Sequence, residues 1–157
     1  MKRNCVGLMI FVLGLICLTA AAALGVGDAV PPLSAQDQHG QTFTFTNGMR
    51  YLLIAREMTP AKAANRELSA LGAEYLEKHR AAFLMDIHTM PAIARLFAFP
   101  KLRHYPHRIV LVDDPAALAW VPVRPGQNTL LELTRDGRIK SISYWNPAVA
   151  QVAPLLE

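Results

Sequence analysis

The chain has 157 residues, 52% hydrophobic and 18% charged, with 16 Lys and Arg against 12 Asp and Glu for a formal net charge of +4. That length suits one domain, and this composition is that of a packed globule, which excludes a disordered tail or a low-complexity spacer. The 11 Pro and 9 Gly follow no repeat period, so a solenoid or collagen-like array is excluded as well.

Lys2 and Arg3 precede an uncharged stretch from Cys5 to Leu18, then Thr19, the run Ala20-Ala21-Ala22-Ala23, and the glycines Gly25 and Gly27. A positive start, an apolar middle and small residues at the end read as a secretory signal peptide over residues 1–25, cleaved between Ala22 and Val26. The alternative is an uncleaved anchor, because the 23 uncharged residues from Cys5 to Gly27 suffice to span a bilayer. Bulky Ile16 before Cys17 argues against lipidation. Under either reading the domain over 26–157 is exported, to the periplasm of a bacterial-type envelope, and membrane contact is expected only through an uncleaved leader. Losing Lys2 and Arg3 leaves 14 basic against 12 acidic residues, a near-neutral chain that does not suit nucleic acid. Both cysteines, Cys5 and Cys17, lie in the leader. The mature domain therefore has no thiol in a compartment that permits disulfides.

In the mature chain Val30-Pro31-Pro32-Leu33 is extended and stiffened by proline. Asp37 to Gln41 reads as a turn, and 42–45 alternates polar and apolar as a half-buried strand does. After the Asn47-Gly48 turn signal, 51–55 is a continuous apolar run typical of a central strand covered on both faces. Thr59-Pro60 opens the first helix, with Thr59 as N-cap and Pro60 at the first helical position. Its apolar stripe is Ala61, Ala64, Leu68, Leu71 and Tyr75. A second buried strand over 81–85 ends at Asp86. Thr89-Met90-Pro91 begins another helix, with Ile93, Leu96 and Phe97 facing inward and Pro100 closing it. A third strand over 108–112 ends at Asp113-Asp114-Pro115, and a short helical turn leads to Trp120. Strands over 129–133 and 139–144 form a hairpin through Asp136-Gly137. Asn146-Pro147 caps a last helix carrying Val149, Val152, Leu155 and Leu156. Strands alternating with helices, then a hairpin and a terminal helix, predict a three-layer α/β sandwich around a mixed sheet.

This order resembles the thioredoxin-like superfamily, in its exported peroxiredoxin-type and cytochrome-maturation branches. The resemblance rests on Gly27 through Phe45 and, most specifically, on Ile109 through Pro115, Leu118-Ala119-Trp120, Val123-Arg124 and Thr129 through Ile139. Ala55-Arg56, Thr59-Pro60-Ala61-Lys62, Asn65, Tyr105-Pro106 and Leu118-Ala119-Trp120 are similar to small exported YtfJ-like proteins. The resemblance implies a thioredoxin-like fold with a redox Cys-x-x-Cys where the first strand enters the first helix. A helix N-terminus there lowers a thiol pKa and makes it nucleophilic. The matching stretch is Met58-Thr59-Pro60-Ala61-Lys62, which keeps the proline and lacks both sulfurs. The cis-proline slot that the resemblance implies before Thr129 holds Asn128. Pro106 and Pro125 are the candidates for a cis bond.

Lys101, Arg103, His104, His107 and Arg108 form the densest basic run, interleaved with Tyr105, and such a run can grip a phosphate, a lipid head group or an acidic partner. An ordinary solvated loop is its other reading. His104-x-x-His107, with Met58, Met85 and Met90, supplies the ligand types of a soft-metal site. With no Cys, no metal and no cofactor is expected, and the methionines read as core fillers. No phosphate loop, nucleophile elbow or His-Glu-x-x-His occurs. Asp86, Asp113 and Asp114 end strands, where substrate groups often sit in α/β folds, and they also suit simple strand termination, the favoured reading.

The favoured reading is a non-catalytic binding module of the cell envelope. It takes an extended peptide or a partner protein in a groove formed by Met58, Thr59, Pro60, Ala61 and Asn128. The alternative is an enzyme or cofactor binder with a non-thiol site around His104, His107 and Asp113.

Overall fold

The computed structural model describes residues 22–156; nearly all of the expected leader lies outside them. Seven strands form one mixed sheet in the order β2-β1-β5-β4-β3-β6-β7. They are β1 (Ser34–Asp37), β2 (Thr42–Thr44), β3 (Tyr51–Ala55), β4 (Ala81–Asp86), β5 (Val110–Val112), β6 (Asn128–Leu133) and β7 (Ile139–Trp145). The helices are α1 (Met58–Leu71), α2 (Tyr75–Lys78) and α3 (Ala92–Leu102). β3 pairs parallel with β4, and β4 with β5, while the β3–β6 and β6–β7 pairings are antiparallel.

The apolar run in β3 is buried at every position because it is central and sandwiched. Side chains alternate across a strand. Leu53 accordingly joins Ala61, Ala64, Leu68, Phe83, Met85 and Ile109 on one face. Leu52 and Ile54 join Leu84, Val112, Leu118, Trp120 and Leu131 on the other. The second layer is closed by Val30, Leu33 and a 3₁₀ turn at Pro115–Leu118. In the β6–β7 hairpin Gly137 has φ +78, and a Cβ there would lie 3.0 Å from Asn47 Oδ1. Conformation and space therefore both select glycine.

Several sequence expectations are corrected. Gln36 and Asp37 belong to β1, paired with β5, so the predicted turn begins only after them. α1 starts at Met58 with Glu57 in the N-cap position. Thr59 is thus inside the first turn and caps nothing. Pro60 still fits, since the first-turn N–H groups have no helical acceptor. Pro91 is the residue before α3, and the helix runs through Pro100 to Leu102. The Ile93, Leu96 and Phe97 side chains face solvent, at 69%, 71% and 68% exposure. The inward stripe is instead Ala94, Ala98, Phe99 and Leu102.

The C-terminal segment forms turns and a short 3₁₀ helix at Ala153–Leu155, not the predicted α-helix. Pro154 supplies no N–H donor and its ring would meet a carbonyl one turn earlier; Ala150 O instead accepts the Trp145 indole N–H at 2.7 Å. Val152 and Leu156 are fully buried there, Val149 is exposed, and Leu155 is only half-buried. No cis peptide bond occurs among the described residues, so Pro106 and Pro125 are trans.

Candidate functional site

β3 delivers the chain to the N-terminus of α1, where Arg56, Glu57 and Met58 emerge beside the end of β4. Met58 is 42% exposed and Ala61 is buried beneath it. The Glu57 carboxylate accepts from Gly126 N–H at 3.2 and 3.1 Å. The Asn128 amide donates to Pro60 O at 3.2 Å. Together these contacts pin the loop before β6 against the helix start. The fully buried Asn128 Oδ1 has no protein hydrogen-bond partner among the described residues. Met58, Thr59, Pro60, Ala61 and Asn128 thus lie together, with Met58 and Thr59 exposed and Pro60, Ala61 and Asn128 buried.

An open cavity of about 240 Å³ adjoins it, lined in part by Arg56, Met58, Ala61, Met85 and Met90. On its wall the Asp86 carboxylate, 4% exposed, receives Arg56 Nε at 3.0 Å and contacts His88 Nδ1 at 2.5 Å. A buried carboxylate held by a guanidinium and an imidazole orients both partners. The sequence places Asp86 at a strand end, with strand termination the favoured reading, and does not bring Arg56 and His88 to it. The signal for the grouping is an arginine just past the end of the neighbouring parallel strand.

The basic run does not act as one patch. His107 is completely buried, its Nε2 3.0 Å from Asn65 Oδ1 on α1 and its Nδ1 without a partner. Burial pushes its pKa down to about 4, so the ring is neutral. Arg108 turns to β1, bonding Asp37 Oδ2 at 2.9 Å and Thr42 O at 3.1 Å. Burial alone would raise the Asp37 pKa, but the Gln41 and His39 N–H groups and the Arg108 guanidinium bring it below the usual range. Lys101, Arg103 and His104 are exposed at the end of α3.

The alternative constellation is also taken apart. His104 Nδ1 lies 2.7 Å from Pro100 O, His107 faces Asn65, and Asp113 is held by Arg95 at 2.5 and 2.6 Å. The Arg95 hydrogen bonds lower the Asp113 pKa. These three groups serve three separate structural contacts. No group of three or more His, Cys, Asp or Glu arranged to hold a metal occurs among the described residues.

Neither a protein-family profile nor a curated protein sequence matches the chain. Solved structures do. A putative thiol:disulfide interchange protein DsbE from Chlorobium tepidum superposes with a TM-score of 0.58 at 14% identity, covering 85% of this chain and 96% of that one. A peroxiredoxin-like protein from Aquifex aeolicus gives 0.55 at 9% identity, covering 81% and 80%. A thio-disulfide isomerase from Thermus thermophilus gives 0.53 at 20% identity, covering 85% and 93%. The chain has the thioredoxin-like fold. It is a thioredoxin-like domain with no cysteine between residues 22 and 156.

Proposed function

We propose that this domain is a non-catalytic binding module of the cell envelope, exported by its leader. It holds an extended peptide or partner protein at the start of α1. The observation that carries the reading is the pair Met58 and Ala61, an exposed thioether and a buried methyl where thiol-disulfide chemistry on this fold needs two thiols. Neither residue can form or break a disulfide, and Thr59 has no base beside it that would make its hydroxyl a nucleophile. What remains is apolar Met58 at the mouth of a cavity, beside a loop fixed by Glu57 and Asn128. Pre-ordered apolar surface of this kind suits peptide recognition.

The test pairs an activity assay with site-specific cross-linking. Insulin reduction and peroxide consumption should stay at the blank. A photoreactive residue replacing Met58 in cells should give discrete adducts that the same group replacing Lys140, on β7, does not. Thiol-type turnover above blank, or the same adducts from both positions, overturns the reading. Mass spectrometry of the same preparation reads the leader: a start between Ala22 and Val26 supports export with cleavage, whereas a chain retaining Lys2 and Arg3 supports the anchor.

A further inference from the structure

A helix that is apolar all round is ordinarily buried. α3 is apolar nearly all round, and it is not. At 100° per residue, Ala94, Ala98 and Leu102 lie on one side and pack into the core. Ile93, Leu96, Phe97 and Pro100 lie on the opposite side and are all exposed. The three large side chains among these, each more than two-thirds exposed, stand on a convex helix surface where no groove receives a peptide. Arg95 points away from the ridge, holding Asp113 and the carbonyl of Ile87 at 2.9 Å.

Charge completes the pattern. Residues 87–112 contain no Asp or Glu, and they carry Arg95, Lys101, Arg103 and Arg108. Arg95 and Arg108 are paired with Asp113 and Asp37. Lys101 and Arg103 form no ion pair among the described residues, and Arg103 gives only its Nε–H to Gln38 O at 3.2 Å. Both follow directly on the apolar ridge, with exposed His104 beside them. At the other end Glu57 and Asp86 line the same cavity as Pro91 and Ala94, Glu57 bonded to Gly126 and Asp86 to Arg56 and His88. A protruding row of large apolar side chains ending in unpaired cations is what an anionic lipid interface takes up. The apolar side chains enter the acyl boundary and the cations meet the phosphates.

We infer that α3 is a membrane-surface contact, with Ile93, Leu96 and Phe97 inserted into an anionic bilayer and Lys101, Arg103 and His104 on its head groups. No helix among the described residues is long and apolar enough to cross a membrane, and this contact lies in the interface plane. It is independent of the groove at the start of α1.

The test uses the full chain carrying Phe97→Trp, whose indole reports its own surroundings while Trp120 and Trp145 stay buried. With phosphatidylglycerol vesicles brominated on the acyl chains, emission should shift to the blue and be quenched. Phosphatidylcholine vesicles should leave it unchanged. Adding Lys101→Gln and Arg103→Gln should weaken this vesicle response roughly twentyfold, at about fivefold or less for each lost charge. Three results overturn the inference. They are an unquenched indole, equal quenching in phosphatidylcholine, and a blue shift that appears without lipid and rises with protein concentration. The last identifies the ridge as an interface between two copies of the chain.

Discussion

α1 and α3 both carry periodic apolar residues, yet α1 buries most of the stripe its sequence advertises, with Leu71 exposed and Tyr75 falling in α2, whereas α3 displays its own. α1 follows the central strand β3 and lies over the sheet, so its Ala61, Ala64 and Leu68 are all within 1% of complete burial. α3 follows β4 and docks through Ala94, Ala98, Phe99 and Leu102, leaving Ile93, Leu96 and Phe97 in water. Periodicity identifies a face, but where two faces of a helix are apolar it does not say which of them turns inward.

Truncating one leucine in each helix tests that contrast. Leu68→Ala deletes a fully buried side chain, and should destabilise the domain by about 2–5 kcal/mol, a large share of a typical total of about 5–15 kcal/mol. Leu96→Ala removes a side chain already 71% exposed and should shift stability by about 0.5 kcal/mol or less. Denaturant unfolding of the two variants checks this. Comparable losses would mean that α3 is packed by its outer face.

The underside of α1 adds a pH-dependent term. His107 faces Asn65 and is held neutral, with a pKa lowered from 6.5 to about 4. Between those values the unfolded chain binds a proton that the folded chain refuses, so stability falls as pH drops from 6.5 towards 4. The loss reaches about 3 kcal/mol at its limit. Below pH 4 the depressed carboxyl of Asp37 adds a loss of the same sign, because its stabilising contribution is present only while it is ionised. Thermal unfolding across pH 7 to 4 should show the decline, and His107→Gln should flatten it in that window. An unchanged profile in the variant would place the titrating group elsewhere.

Much of the fold was legible where physics leaves one choice. The runs at 51–55 and 81–85 are continuous because both faces of a central parallel pair are covered. Asp136-Gly137 gave the hairpin because only glycine tolerates its backbone and the nearby Asn47. β1 was not legible, since its sequence lacks apolar alternation and its buried member is Asp37, satisfied by His39 and Gln41 N–H at 2.9 Å each and by Arg108. The basic run misled because adjacent charges in sequence diverge in space, His107 inward and Arg108 to β1. The start of α1 at Met58 is legible from its place after the central strand, whereas Arg56, Asp86 and His88 meet only once β3 and β4 are aligned.

The smallest expected effect concerns the start of α1. A threonine before a proline at a helix start reads as a cap, and removing a cap typically costs about 1 kcal/mol. Here the N-cap position belongs to Glu57, whose carboxylate makes no cap bond and reaches across to Gly126. Thr59 sits in the first turn, exposed and without a side-chain hydrogen bond to the helix backbone. Thr59→Ala therefore removes no bond and exchanges a β-branched residue for the best helix former, a gain of up to about 0.7 kcal/mol. Thr59→Ala should leave the unfolding midpoint unchanged or slightly raised. Glu57→Ala, by contrast, releases the loop before β6 and should loosen the groove around Met58. A loss of about 1 kcal/mol in Thr59→Ala would show that the helix begins two residues later, at Pro60, and that Thr59 caps it after all.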